Sequence, residues 1–218
     1  MKRFSGLMLE MIKIMQKSDK YIYLIVNCVR NMKLFNIHVK YCILLIVYLC
    51  FKCFAWITSP IYSLFVDKTG NLPKFLKWFQ TSDSNMFGVD GDGGFAREND
   101  KYLDSYIGRW FVSTKWGWRN TGQGFSTYVL GIDDSGMNII EKYWLDSHGQ
   151  EHEKKIAYRD YSTNYPVGFE YKGGYKWCLL KKYYFRWRIG WKFRFGESRG
   201  YKLPAPFVFS ISPFKKID

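Results

Sequence analysis

Residues 185–195 read FRWRIGWKFRF, and their alternation decides the fold class of the C-terminal part of the chain. Phe185, Trp187, Ile189, Trp191, Phe193 and Phe195 occupy one parity, and Arg186, Arg188, Gly190, Lys192 and Arg194 the other. Successive side chains of a β-strand point to opposite faces, so this period predicts a strand with one aromatic and one basic face. A helical winding mixes both sets on every side.

Working outward from this strand, turn residues punctuate further apolar runs. FSTYVLGI (125–132), the turn Asp133-Asp-Ser-Gly136 and MNIIEKYWL (137–145) read as a hairpin. Asp146-Ser-His-Gly149 reads as a turn into QEHEKKIAY (150–158). Gly173-Gly174 reads as another, between FEYK and YKWCLL, and PFVFSIS (206–212) as a last strand. Ahead of the strands, Leu103, Tyr106, Ile107, Trp110, Phe111 and Thr114 recur at one-sided helical spacing, with Asn99 or Asp100 as cap and Gly117 as stop. LPKFLKWFQ (72–80) reads as a short helical turn, and 81–96 as a Gly/Asp/Ser loop.

The other decisive stretch is YCILLIVYLCFKCFAWITSPIYSLFV (41–66). As a helix it is long enough to cross a hydrocarbon core of about 30 Å. Ile43, Leu44, Leu45, Ile46, Val47, Leu49, Phe51, Phe54, Trp56 and Ile57 carry its affinity for lipid. Lys52 near the middle opposes insertion, and Pro60 kinks or ends the helix. Summed Leu, Ile, Val and Phe contributions outweigh one lysine that can snorkel. Two other readings stay open: a cleaved signal peptide, with the short core 41–51 and small residues Cys53 and Ala55 near a cleavage site, and a buried or interfacial helix. Lys20, Arg30, Lys33 and Lys40 before the segment, against Lys68, Lys74 and Lys77 after it, bias the N-terminus slightly toward the cytoplasm.

The fold class expected is therefore α+β: an N-terminal transmembrane helix, then an amphipathic helix packed on a twisted antiparallel β-sheet. By segment, 1–40 is a basic N-terminal stretch and 41–66 the anchor. Residues 67–96 hold the juxtamembrane helix and Gly/Asp loop, and 97–218 an aromatic-rich α+β domain. Met32-Lys33 reads like a fresh N-terminus, which makes Met32 an alternative start.

Composition agrees with this plan. Of 218 residues, 20% are aromatic, with 9 Trp, 17 Tyr and 18 Phe, a bias that suits compact sheets and membrane interfaces alike. The net charge is +14, and residues 1–66 hold nine Lys/Arg against two acids, beside the apolar run. Such a flank suits anionic headgroups or nucleic acid, and the adjoining apolar run favours the headgroups. Four of the five cysteines precede residue 54, which leaves no disulfide within the C-terminal domain. Cys50-Phe-Lys-Cys53 has a redox-like gap but no second pair and lies in the apolar run, so it reads as packing or lipid-facing thiols.

Candidate chemistry is sparse. His148-Gly-Gln-Glu151-His152 has the spacing of an inverted zinc-peptidase motif, in which both imidazoles share a helix face and the Glu activates a metal-bound water. Gly149 and the preceding Asp146-Ser147 suit a turn instead. Asp90-Gly-Asp92-Gly93 opens like a calcium loop, but Lys101 stands where the bidentate Glu belongs. No phosphate loop is present, and nothing in the pattern requires a cofactor or a metal. The most distinctive site is the row Arg186, Arg188, Lys192 and Arg194, suited to phosphates of lipid, nucleic acid or peptidoglycan precursors. Against it stands the plainer reading of a solvated basic face over an aromatic core.

Taken in order, the apolar anchor, Trp78-Phe-Gln-Thr81, Trp116-Gly-Trp-Arg-Asn120, Gly124-Phe-Ser126, Arg186-Trp-Arg-Ile-Gly-Trp-Lys192 and Phe207-Val-Phe-Ser-Ile-Ser-Pro-Phe214 resemble an uncharacterised family of small membrane-anchored tailed-bacteriophage proteins. The resemblance runs from about Met32 to the C-terminus. It departs from the family's pattern where Ser82 or Ser84 replaces a proline. It implies a viral accessory protein at the host bacterial inner membrane and supplies no catalytic residues. The expected function is thus non-enzymatic, through lipid contacts or a host or phage envelope protein. A membrane-associated nucleic-acid binder using 186–194 is the alternative, and a zinc peptidase at His148 and His152 a remote one.

Overall fold

The computed structural model describes residues 13, 20–26, 28, 36–145, 151–159, 166–176, 183–194, 200 and 202–216. The chain forms two compact units, residues 1–121 and 122–218. The division falls inside the stretch 97–218 that reads as one domain.

The first unit is built on α1, Ile37–Tyr62. Asn36 caps it, its side chain accepting from the His38 N–H at 2.9 Å. At 26 residues the helix is about 39 Å long. Pro60 does not end it; the helix runs to Tyr62 and tightens into a 3₁₀ turn, Ser63–Phe65. Tyr41, Leu44, Tyr48, Phe51, Ala55, Ser59 and Tyr62 form one buried stripe at three- and four-residue spacing. Phe79, from the 3₁₀ helix Lys74–Phe79, packs on that stripe with its ring 5.2 Å from Phe51 and 4.7 Å from Tyr62.

The chain continues through a short helix α2, Gly93–Asn99, to α3, Tyr106–Arg119. Ser105 caps α3, its hydroxyl accepting from the Gly108 N–H. Asn99 and Asp100, expected as caps, lie a turn upstream at the end of α2, where the Asn99 carboxamide instead accepts from Lys115 at 2.9 Å. Gly117 does not stop α3 either, for reasons of packing given below. The buried side of α3 is Val112, Ser113, Thr114, Trp116 and Gly117, and it faces α1 and the loop 81–92. Tyr106, Ile107 and Phe111, assigned by spacing to the inward face, are exposed.

The second unit is a five-stranded antiparallel meander in the order β1-β2-β3-β4-β5, not closed into a barrel. Its strands are β1 Asn138–Leu145, β2 Glu151–Tyr158, β3 Pro166–Lys176, β4 Tyr183–Trp191 and β5 Phe207–Lys216. This is the expected α+β class with its long apolar helix and antiparallel sheet. Three local readings are corrected. Residues 125–132 are not a strand: Gln123–Tyr128 form the short helix α4. There the hydroxyls of Ser126 and Thr127 bond back to the Gln123 carbonyl at 2.7 and 3.1 Å, while Phe125, Val129 and Leu130 are buried. β1 therefore pairs with β2 rather than with 125–132.

Gly173-Gly174 is no turn but the middle of β3, opposite Trp187 and Arg186. A Cβ on Gly173 would meet His152 Nδ1 at 2.4 Å and the Trp187 ring at 2.9 Å, so glycine is there because two rings close over it. The alternation of 185–195 holds through Trp191. Beyond it Arg194 adopts φ 58° in a turn, its N–H held by the Asp134 carboxylate, and the ladder ends.

The sheet's hydrophobic core lies at one end of its aromatic face. Its buried members Phe169, Trp191 and Phe207 belong to a row that continues through the half-buried Ile156 to the exposed Ile140 and so crosses all five strands. Trp191 meets Phe169 and Phe207 edge-on, and its indole N–H donates to the Leu130 carbonyl at 2.9 Å, which pins the α4 segment over this end.

Candidate functional site

Two features compete for function: the apolar helix with what clasps it, and the polar face of the sheet.

Proline at position 60 has no N–H, so the Trp56 carbonyl loses its helical donor. Trp118 of α3 supplies one, its indole N–H reaching the Trp56 oxygen at 2.9 Å. A turn away, the Trp110 indole donates to the Pro60 carbonyl at 2.7 Å, and the Ser59 hydroxyl donates to the Thr114 carbonyl at 3.1 Å. At the far end the Tyr106 hydroxyl donates to the Leu64 carbonyl at 3.0 Å. These bonds place α3 antiparallel to the last turns of α1.

The approach is close because Gly117 lies at the crossing. A Cβ there would stand 2.4 Å from both the Ser59 hydroxyl and the Tyr62 phenol. Small residues and hydroxyls at a helix crossing are the means by which helices associate without a hydrophobic drive. Each residue of Trp116-Gly-Trp-Arg-Asn120 thus has its own task. Trp116 fills the space under Gly88 and Gly91, and its indole meets the Thr81 hydroxyl at 3.3 Å. Arg119 pairs with Asp92, and Asn120 bonds back to the Trp116 carbonyl.

Asp92 also caps α2, accepting from Gly94 and Phe95 N–H at 2.9 and 3.0 Å. The Phe95 N–H above all, joined by the Arg119 guanidinium and the Gly94 N–H, holds its carboxyl below the usual carboxylate range against the opposing effect of desolvation. The Asp90–Gly93 stretch is therefore a helix start. Trp78-Phe-Gln-Thr81 is equally architectural. Gln80 is buried and gathers Leu72 N–H, Lys77, Asn71 and the Ser84 carbonyl, while Phe79 packs on α1.

Of the anchor residues, Leu44 and Phe51 are buried against protein, and Ile43, Leu45 and Val47 are half-buried. Ile46, Leu49, Phe54, Trp56 and Ile57 point outward, with Ile46 at 65% and Ile57 at 68% exposure. Lys52 stands over the Tyr48 ring at 5.5 Å, a cation–π contact that shelters its ammonium. The thiols of Cys42, Cys50 and Cys53 are free and exposed.

On the sheet, the polar face is not a bare basic surface. The row Tyr143, Glu153, Lys172, Arg188 and Ser210 crosses the five strands beside the row Glu141, Lys155, Glu170, Gly190 and Val208. Three acids thus interleave with three cations. Lys155 meets Glu153 at 2.8 Å and Glu141 at 3.5 Å, Lys172 meets Glu153 at 3.4 Å, and Arg188 is paired with Glu170.

Glu170 is fully buried and also accepts the Phe193 N–H at 3.3 Å. Burial pushes its carboxyl above the usual range, opposed by Arg188. Burial acts the same way on Glu153, yet Lys155 and Lys172 overcome it and hold that carboxyl low. Of the four basic residues singled out in the sequence, Arg188 is thus neutralised from the neighbouring strand, and Lys192 and Arg194 lie past the end of β4. Only Arg186 shares the face with Arg188 within the ladder.

Glu170, Glu153 and Glu141 are the residues that sequence reading missed. Only the strand register brings them to the arginines. His148 lies outside the described residues. Glu151 and His152 begin β2, in extended backbone, where His152 stacks on Trp144 at 5.3 Å. A helix face with two imidazoles is not formed there. Among the described residues no group of three His, Cys, Asp or Glu side chains is placed to hold a metal ion.

These features define an α+β protein in which, among the described residues, one helix, continued to Phe65, is long and apolar enough to cross a membrane. The chain belongs to a family of unknown function, DUF7338, whose profile matches residues 32–218. No curated protein and no solved structure is significantly similar to it.

Proposed function

We propose that this protein is held in a lipid bilayer by α1 and acts there without catalysis, through contacts with lipid or with another envelope protein. The observation that carries the proposal is the outward side of α1. Val39, Ile46, Leu49, Phe54, Trp56 and Ile57 are exposed along a helix of spanning length. A helix in the core of a water-soluble protein buries such residues, and a contiguous apolar face of this size calls for a cover.

The energetics favour lipid. Ile43, Leu44, Leu45, Ile46, Val47, Leu49, Phe51, Phe54 and Ile57 together contribute about 3–5 kcal/mol toward insertion. Lys52 costs about 2.5–3.5 kcal/mol near the bilayer centre, less where its ammonium snorkels or rests on a ring. The likeness of the signature residues to phage proteins supports a place at a bacterial inner membrane during infection.

The test is fractionation of lysed cells carrying a C-terminally tagged full chain. We expect the protein in the ultracentrifugal pellet, resistant to alkaline carbonate and released by detergent. Recovery in the detergent-free supernatant overturns the proposal. The nucleic-acid reading draws less support, because Arg188 is paired with Glu170 and Lys192 and Arg194 lie past the end of β4, so the four cations do not form one continuous row.

A further inference from the structure

We infer that α3 is a second lipid-binding element, standing beside the C-terminal turns of α1 within one leaflet with its Ile107–Phe111–Trp118 side turned to the bilayer. This inference rests on the reading of α1 as a membrane helix and adds to it. The starting point is that α3 is apolar on two sides. One side, Val112, Trp116 and Gly117, is spent inside the protein. The other carries Ile107 at 73% exposure, Phe111 at 46% and Trp118 at 43%, spaced i, i+4 and i+11 on one stripe.

The second observation is what these outward aromatics present. The Trp118 N–H is already taken by the Trp56 carbonyl, and the Tyr106 hydroxyl by the Leu64 carbonyl. Their polar tips are satisfied internally, so the surface they offer is hydrocarbon. Ordinarily a half-exposed indole or phenol keeps its polar end for water. Here it is turned in, which leaves the ring itself to face outward and suits lipid.

The third observation is continuity. The Trp118 ring lies 6.0 Å from that of Trp56, which itself belongs to the outward side of α1. The exposed stripe of α3 therefore extends the outward face of α1 around its C-terminal turns. A bilayer that receives Trp56 and Ile57 also receives Trp118, and the stripe runs on from there to Phe111 and Ile107.

The experiment uses the full chain in phosphatidylcholine/phosphatidylglycerol nanodiscs, with its five cysteines replaced and single nitroxide labels introduced by Ile107→Cys, Phe111→Cys, Ile46→Cys and Val89→Cys. Collisional accessibility to oxygen and to a water-soluble nickel chelate is compared at each site. We expect oxygen to dominate at 46, 107 and 111, with 107 and 111 shallower than 46, and the nickel chelate to dominate at 89, in the exposed loop. If 107 and 111 behave like 89 while 46 stays in lipid, the α3 inference fails and the reading of α1 stands. If 46 is also open to the nickel chelate, both fail. Shielding of 107 and 111 from both reagents means that protein covers the stripe, and likewise overturns the inference. A native-sequence control guards against a misfolded cysteine-free chain: photoactivatable lipid should cross-link peptides of α3 as well as of α1, and labelling confined to α1 refutes the inference.

Discussion

Replacing Trp118 with phenylalanine keeps most of the ring and removes one donor, the N–H that satisfies the Trp56 carbonyl left open by Pro60. An acceptor stranded in a dry environment costs about 1–3 kcal/mol. For a chain of 218 residues, each 1 kcal/mol lowers the midpoint of thermal unfolding by about 2–4 °C. Trp118→Phe should therefore unfold several degrees earlier in detergent micelles. The decisive comparison is the same change in a Pro60→Ala background. Alanine restores an amide at position 60, which can donate to the Trp56 carbonyl in the ordinary helical manner, and the indole bond becomes redundant. A double-mutant cycle followed by near-ultraviolet circular dichroism should show a coupling of about 1 kcal/mol or more, of the sign that makes Trp118→Phe nearly silent beside Pro60→Ala. Equal losses in both backgrounds would refute the reasoning, since the bond would then have no connection with the proline.

Gly117→Ala should cost about 1–3 kcal/mol, because its methyl group runs into the Ser59 hydroxyl and the Tyr62 ring; Ser59→Gly should restore part of that loss in the same melts. Arg188→Ala leaves Glu170 buried and unpaired, at about 3–5 kcal/mol, whereas Arg186→Ala on the same face should cost under about 1 kcal/mol. The pH dependence of that variant has a definite sign. A carboxyl raised above its unfolded value contributes stability present below the ordinary glutamate range and lost as pH rises through the folded value. Denaturant titrations of Arg188→Ala should thus show a deficit that shrinks on acidification. In the unaltered chain Asp92 and Glu153 are held low, so their contribution is present above the ordinary carboxylate range and lost as pH falls through their folded values. Asp92→Asn and Glu153→Gln should each flatten the acid limb of the stability curve.

The sequence made the class of fold legible because two of its signals are strong and local. A largely apolar run of spanning length and a period of two through Trp191 both survive whatever surrounds them. The misread parts were those in which neighbours distant in sequence overrule local preference. Ser126 and Thr127 belong to a segment rich in strand-forming residues, yet their hydroxyls and the buried ring of Phe125 settle it as a helical turn. Gly173-Gly174 looks like a turn dipeptide because what demands the glycines lies on other strands: the His152 and Trp187 rings over Gly173 and the Phe185 carbonyl against Gly174. The outward placing of Ile107 and Phe111 is invisible to helical periodicity, which reports a face but not which of two apolar faces is turned in. The charge row shows the same limit: Arg188 is read from its own strand, while Glu170 reaches it only through the register of β3 with β4.

Because every strand of the meander lies beside its neighbour in sequence, the sheet can grow by adding one strand at a time. The connections to be closed are short, from five residues between β1 and β2 to fifteen between β4 and β5, so the entropic toll of each closure is small and rises only slowly with length. No strand of this sheet has to await a partner from the N-terminal half of the chain. A hydrophobic helix that leaves the ribosome before the strands can commit to its surroundings while they are still being made, since their pairing runs only between neighbours in sequence.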